Sequence, residues 1–279
     1  MVFMNYEKPL AVKELCELSL EARRKIIKYS HSANLPHLGS CLSLVDILIT
    51  LYFSSARVQE NYPLAPDRDR IVLSKGHGAP ALFQILAMRG FFPEDWMFRE
   101  NHGGGLFGEH PPLPKYLPGI EAATGSLGHG LPMAVGMALS AKIRNEDFHT
   151  FAICGDGECN EGSVWEALQF VGAQRLDNLT VVVDRNAWQA TGRTKNILGK
   201  YCLEKKFQAF GFSPHTIDGH DIPSLQQCFS IAKSAKQPVV VIADTIKGKG
   251  VSFMEDDNNW HYRVPNSAEL KAALAELAC

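Results

Sequence analysis

The sequence has no apolar run long enough to span a bilayer as a helix. Its opening stretch, MVFMNYEKPLAVKEL, lacks the apolar segment of a secretory signal. Both absences predict a cytoplasmic protein with no membrane partner. An excess of one charge is missing too: 28 Lys and Arg stand against 30 Asp and Glu, a net charge of −2. With no Lys/Arg block either, there is no electrostatic footprint for nucleic acid. The seven cysteines are odd in number and show no CxxC spacing. Reduced thiols therefore fit better than a disulfide framework or a zinc site. No GxGxxG follows an early strand, which argues against a nicotinamide-binding domain. No repeat, low-complexity tract or clear linker divides the 279 residues. Residues 1–279 thus read as a single α/β domain with ordinary apolar content and a sizeable core.

What is present is an alternation of strand and helix signals. Leu15, Leu18, Ala22 and Ile26 recur at helical spacing across residues 11–30. A loop, HSANLPHLGS, follows, and Ser43 is placed to cap a helix over LVDILITLYF. DRIVLS reads as a strand, KGHG as a turn and APALFQILAMRG as a helix. Residues 99–124 are rich in Gly, Pro and His, a length without periodicity that signals a functional loop or lid. GLPMAVGMALSAKI is helical with small residues on one face, and 202–210 is a further helical piece. FSPHTI and PVVVIADTI read as strands on either side of a helix, SLQQCFSIAKSA, and a C-terminal helix over 267–277 is capped by Ser267. The alternation predicts a doubly wound, mostly parallel sheet with helices on both faces.

Two apolar runs in that pattern end in chemistry. FAIC closes on Gly155-Asp156-Gly157, and LTVVVDRN delivers Asn186 thirty positions after Asp156. The intervening segment carries Val164, Leu168 and Val171 at helical spacing, so the unit is a βαβ crossover. Gly-Asp-Gly alone is a common turn string. At the carboxyl ends of two buried strands it lies where open α/β sheets bind ligands. A carboxylate and an amide oxygen there suit the oxygen shell of Mg²⁺ on a diphosphate, with glycine leaving room for backbone approach.

With these residues the chain resembles the thiamine diphosphate enzymes, and more closely the transketolases. Gly-Asp-Gly followed by Asn matches the cofactor signature of the superfamily. Five further strings match the amino-terminal half of transketolases in order: PHLGSCLS, DRIVLSKGHG, GEHP, PGIEAATGSLGHGL and KGKGVSFME. The likeness runs from about residue 12 to about residue 265. It implies thiamine diphosphate held by Gly155, Asp156, Gly157, Glu158, Asn186, Trp188 and Lys247, with Gly125, Ser126 and Leu127 on the aminopyrimidine side. It implies Mg²⁺, or Ca²⁺ or Mn²⁺ in its place, on Asp156, Asn186 and the Trp188 carbonyl. Arg185, where the family often has Asp, is not a proposed ligand.

The same likeness implies catalytic roles for His37, His77 and His110, and by a looser match His261, around a sugar or sugar phosphate. Proton transfer among hydroxyls near neutrality calls for groups with pKa values near 7. Read alone, His77 is as well a structural histidine and His37 a surface one. Glu161 matches a glutamate at the transketolase subunit interface and equally suits the first turn of a helix. Lys249 reads either as part of the cofactor mouth or as a solvated basic residue. His102, His129 and the triple glycine in FRENHGGGLFGEHPP have no assigned role.

The resemblance implies a transferase: the diphosphate-binding subunit of a split transketolase, which moves a two-carbon ketol unit from a ketose to an aldose. The family's activating glutamate lies on a second domain, and this sequence ends at Cys279. The chain is therefore expected to be inactive alone and to work with a C-terminal partner subunit, in a heterotetramer. Two alternatives stay open. One is the α subunit of another split thiamine diphosphate enzyme, such as a 2-oxo acid dehydrogenase; those do not usually carry strings like LSKGHG. The other is a non-catalytic module that keeps the cofactor fold. The sugar itself is not specified.

Overall fold

A computed structural model describes residues 10–99 and 106–278. His102 and Gly103–Gly105 lie outside the described residues. Five strands, β1 (Arg70–Leu73), β2 (Thr150–Gly155), β3 (Leu179–Arg185), β4 (Ser213–Asp218) and β5 (Val239–Asp244), form one sheet in the order β1-β2-β3-β5-β4. Every pairing is parallel, with Gly155 level with Asp184 and Asp184 level with Ala243.

Successive side chains of a strand point to opposite faces, and the core divides accordingly. Ile71, Leu73, Phe151, Ile153, Val182, Val239 and Val241 pack on one side. Val72, Ala152, Cys154, Val181, Val183, Val240 and Ile242 pack on the other. Both faces are covered, so the central strands are continuous apolar runs such as Val181-Val182-Val183. Pro214 sits in β4, an edge strand, where a missing N–H costs least.

The first face receives α1 (Val12–Ala33), α2 (Leu38–Ser43), α3 (Val45–Thr50) and α4 (Ala79–Arg89). A short α5 (Trp96–Arg99) follows. The second face receives α6 (Gly130–Arg144), α7 (Gly162–Gln174) and, beyond a single turn α8 (Thr194–Ile197), α9 (Leu203–Ala209). The path then reverses. From β4 it returns to β5 through α10 (Ile222–Ser234), which packs on the first face with Leu225 and Phe229 buried. A right-handed crossover in the reverse direction must lie on the opposite face. The terminal α11 (Ser267–Glu276) packs against α1.

Three local expectations are corrected. Ser43 does not cap a helix: helical turns already run through α2, and its hydroxyl donates instead to the Asp184 carboxylate at 2.7 Å. Ser267 is the first residue of α11; the cap is Asn266, whose Oδ1 accepts from the N–H groups of Ala268 and Glu269 at 2.9 Å. Gly125–Gly128 precedes rather than opens a helix, since α6 starts at Gly130. Residues 106–124 contain no helix or strand, but they are packed: Phe107 and Leu117 are buried, and Tyr29 donates to the Phe107 carbonyl at 2.7 Å. Among the described residues no helix is long and apolar enough to cross a membrane. All six described cysteines are free thiols.

Candidate active site

Because all strands run one way, one edge of the sheet collects every carboxyl-terminal turn: Ser74–His77 after β1, Asp156 after β2, Asn186 after β3 and Lys247 after β5. A cavity of about 410 Å³ opens there. Its walls include His37, His77, His110 and His261, together with Gly125, Leu127, Gly155, Asp156, Gly157, Glu158, Asn186 and Trp188. These are most of the residues that the sequence pattern singled out. Ser126 is exposed and outside the cavity wall. Lys247 is fully buried and reaches the wall only through His261.

The backbone permits close packing where the walls meet. A Cβ on Gly76 would lie 2.7 Å from the backbone nitrogen of Gly125, so the turn after β1 and the strand-like segment before α6 touch directly. A Cβ on Gly125 would lie 3.1 Å from the His110 ring, which fixes where that imidazole stands.

Four imidazoles cluster. Ring centroids lie 4.9 Å apart for His37 and His261, 5.4 Å for His37 and His77, 5.7 Å for His77 and His261, and 6.3 Å for His37 and His110. His37 holds a left-handed backbone (φ 67°), unusual for a side chain of its size, and its N–H donates to the His261 carbonyl at 2.8 Å. Burial pushes the pKa values of His37, His77 and His261 down, that of His261 to about 3. Positive charge on Lys247 and on the neighbouring imidazoles acts in the same direction. The expectation of pKa values near 7 therefore does not hold for these three, which are neutral at physiological pH. Lys247 donates from Nζ to His261 Nδ1 at 3.0 Å, which leaves the ring proton of His261 on Nε2. His37 Nε2 is 3.3 Å from the Glu109 carboxylate, and its buried Nδ1 has no hydrogen-bond partner among the described residues. A bare acceptor nitrogen therefore remains on the central ring of the cluster.

The oxygen pair predicted at the strand ends is also together. Asp156 is 3 % exposed; Oδ1 accepts from the N–H of Gly157 at 2.9 Å and Oδ2 from the Thr194 hydroxyl at 2.9 Å. Burial pushes its pKa up to about 6, and the nearby Asp184 charge adds to this. Asn186 is buried, and its Oδ1 accepts from the N–H of Trp188 at 3.0 Å. A buried carboxylate bonded only by a backbone N–H and a hydroxyl among the described residues, in one cavity wall with Asn186 and Trp188, suits a hard divalent cation. Glu158 points elsewhere: it accepts from Ser74 Oγ at 2.5 Å and from the N–H groups of Gly128 and Gly155, tying β1, β2 and the start of α6 together.

Several residues of this edge carry no sequence signal of their own. Lys75 is fully buried in the cavity wall and donates to Asp184 at 2.5 Å. Asp184 is fully buried and also accepts from Ser43, Thr245 and Asn186, so the net effect holds its carboxyl below the usual range despite burial. Thr194, Glu109 and Ser40 belong here as well. Arg185 turns away, to Asp244 at 2.5 Å and Glu204 at 2.8 Å. Glu161 is the exposed N-cap of α7 and lines the cavity mouth. Lys249 pairs with Glu255 at 3.5 Å, away from the histidines. His129 is exposed at the start of α6, its Nδ1 3.1 Å from the Leu127 carbonyl.

Residues 21–277 match the family described as transketolase, thiamine diphosphate binding domain. The chain is 42% identical over 274 residues to one of the subunits of apulose-4-phosphate transketolase from Actinobacillus succinogenes, covering 96% of this chain and 97% of that protein. It is 40% identical over 242 residues to the SqwG subunit of 6-deoxy-6-sulfo-D-fructose transketolase from Clostridium sp., covering 86% and 88%. Among solved structures, transketolase from Campylobacter jejuni superposes with a TM-score of 0.88 at 28% identity, over 96% of this chain and 43% of that one. The chain belongs to the transketolase family, in its thiamine diphosphate-binding domain.

Proposed function

We propose that this chain is the cofactor-binding subunit of a two-polypeptide transketolase, which transfers a two-carbon ketol unit from a phosphorylated ketose to an aldose. The observation that carries this reading is the four-histidine cluster in one cavity wall with Asp156 and Asn186. Relatives that are themselves named as transketolase subunits, and that match this chain over nearly their whole length, support the two-chain organisation.

Thiamine diphosphate, when bound, supplies the carbon nucleophile that opens and remakes the bond beside the ketose carbonyl. Asp156, Asn186 and the Trp188 carbonyl would hold a divalent ion, Mg²⁺ or a replacement, beside the diphosphate. Gly155 and Gly157 keep the strand end clear for phosphate oxygens. Leu127 offers an apolar surface to the ring. His37 Nδ1 accepts a hydrogen bond from a sugar hydroxyl, and His261 Nε2 donates one. His77 and His110 complete a ring of imidazoles that orients a polyol through hydrogen bonds. The partner subunit contributes the activating glutamate in this reading, and the assembly is a heterotetramer in the cytoplasm. Glu161, at the mouth, faces that partner.

The test is a two-carbon transfer assay on the purified chain, alone and with its complementing subunit, with magnesium and thiamine diphosphate present. Turnover only in the mixture is expected. A transketolase-like rate from the chain alone overturns the two-chain reading. Decarboxylation of a 2-oxo acid without ketol transfer assigns a different reaction.

A further inference from the structure

The hairpin 187–194 joins the two sides of the proposed metal site. Ala187 and Thr194 are bonded across its base at 3.0 Å, and Gln189 and Gly192 across its tip at 2.8 Å. One arm carries Trp188, whose carbonyl is the proposed ligand; the other ends on Thr194, whose hydroxyl donates to Asp156 Oδ2. Both arms are gripped from outside by one residue. Asp256 accepts from the Trp188 indole N–H at 2.8 Å and from both terminal nitrogens of Arg193, at 2.6 and 2.5 Å. The Arg193 guanidinium in turn lies 3.8 Å from the Trp188 ring centroid. Asp256 reaches this position through a left-handed backbone (φ 59°), a conformation that aspartate tolerates better than most residues.

We propose that Asp256 and Arg193 are positioning residues for the divalent cation, acting through the hairpin rather than by contact with the metal. This rests on the proposed function above. An exposed ion pair adds little to global stability. A bidentate guanidinium stacked on an indole fixes orientation, because both groups are planar and neither can rotate without breaking a contact. Held so, the Trp188 carbonyl and the Thr194 hydroxyl keep fixed places on either side of Asp156. Released, the hairpin samples more conformations, and ordering it is charged to ion binding. Residues that orient metal ligands from outside the coordination shell typically change affinity by about 10- to 100-fold.

The experiment titrates Mg²⁺ calorimetrically into the complex of the chain and its complementing partner, with thiamine diphosphate saturating, for the natural sequence, D256N and R193K. Unfolding temperatures of the metal-free chains are measured alongside. Both variants are expected to lose about 10- to 100-fold in Mg²⁺ affinity. Excess Mg²⁺ should restore natural thiamine diphosphate affinity, and unfolding temperatures should stay unchanged. Natural Mg²⁺ affinity in both variants overturns the inference while leaving the proposed function intact. So does a loss that tracks a lowered unfolding temperature, or one that excess Mg²⁺ does not relieve. Failure of the natural chain to bind either Mg²⁺ or thiamine diphosphate overturns the functional reading and the inference together.

Discussion

Asp69 and Asp156, one buried at each edge of the sheet, have opposite electrostatics. At the amino-terminal edge Asp69 is fully buried, and burial alone would raise its pKa. The Lys233 charge at 2.8 Å and the N–H groups of Arg57 and His149, at 2.8 and 2.9 Å, outweigh that and hold the carboxyl below its usual range. His149 beside it is neutral, lowered to about 4 by burial, with its ring bonded to Thr180 at 2.7 Å. At the carboxyl-terminal edge Asp156 is as deeply buried, yet its pKa rises to about 6 because hydrogen bonds from Thr194 and Gly157 do not replace a cation. One edge is a closed network that holds strand ends together. The other keeps a negative charge uncompensated beside a cavity, and such unresolved electrostatics mark a functional site better than burial does.

The largest expected effect comes from removing that uncompensated charge. D156N should abolish Mg²⁺-dependent thiamine diphosphate binding and lower two-carbon transfer by about 1000-fold, several kcal/mol of lost metal chemistry. Its metal-free stability should move the other way. The folded pKa of Asp156, about 6, lies above its ordinary 3.8, so folding disfavours the ionised form. That cost is full above about pH 6 and is lost as the pH falls below 3.8, where folded and unfolded chains both hold the proton. Raising the group from 3.8 to about 6 costs about 3 kcal/mol when it is ionised. D156N should therefore be more stable than the natural chain at about pH 8 and indistinguishable near about pH 3, by urea unfolding without metal. A natural chain that is the more stable of the two at pH 8 would sink the contrast between the edges.

D69N should do the reverse. It leaves Lys233 and Arg57 without their shared acceptor, and breaking a buried pair of this kind costs about 3 kcal/mol. Mg²⁺ affinity per folded molecule should not change. Equal losses of Mg²⁺ affinity in D69N and D156N would show that the two edges are not separable.

How much of each edge is legible follows from where its signal resides. Asp156 and Asn186 are written at the ends of two apolar runs one crossover apart, so chain order alone puts them side by side. The histidines sit in strings with recognisable neighbours. Lys75 and Asp184 form an equally buried pair but are 109 residues apart, with no spacing to betray the contact. Thr194 lies in a polar loop whose composition reads only as solvent-facing, and its bond to Asp156 depends on the hairpin closing. Ser43 misleads for the same reason: a capping residue by type, it is claimed by Asp184 across the sheet edge. The histidine pKa values escape the sequence because it reports neither how deeply the rings are buried, which lowers them most, nor that Lys75 and Lys247 will stand beside them.

The smallest expected effect separates histidines by location. His261 lies in the cavity wall with its Nδ1 occupied by Lys247, whereas His129 is exposed at the head of α6, its ring bonded to the Leu127 carbonyl. A neutral imidazole that donates one hydrogen bond to a sugar hydroxyl contributes about 1 kcal/mol. H261A should therefore lower kcat/KM for the ketose by about fivefold. A loss of about 100-fold or more would instead assign it a proton-transfer role that its depressed pKa argues against. H129A should change kcat/KM by less than about twofold, since an exposed side chain outside the cavity wall has no substrate contact to lose. A larger drop in H129A than in H261A would mean that substrate approaches across the head of α6, not through the histidine cluster.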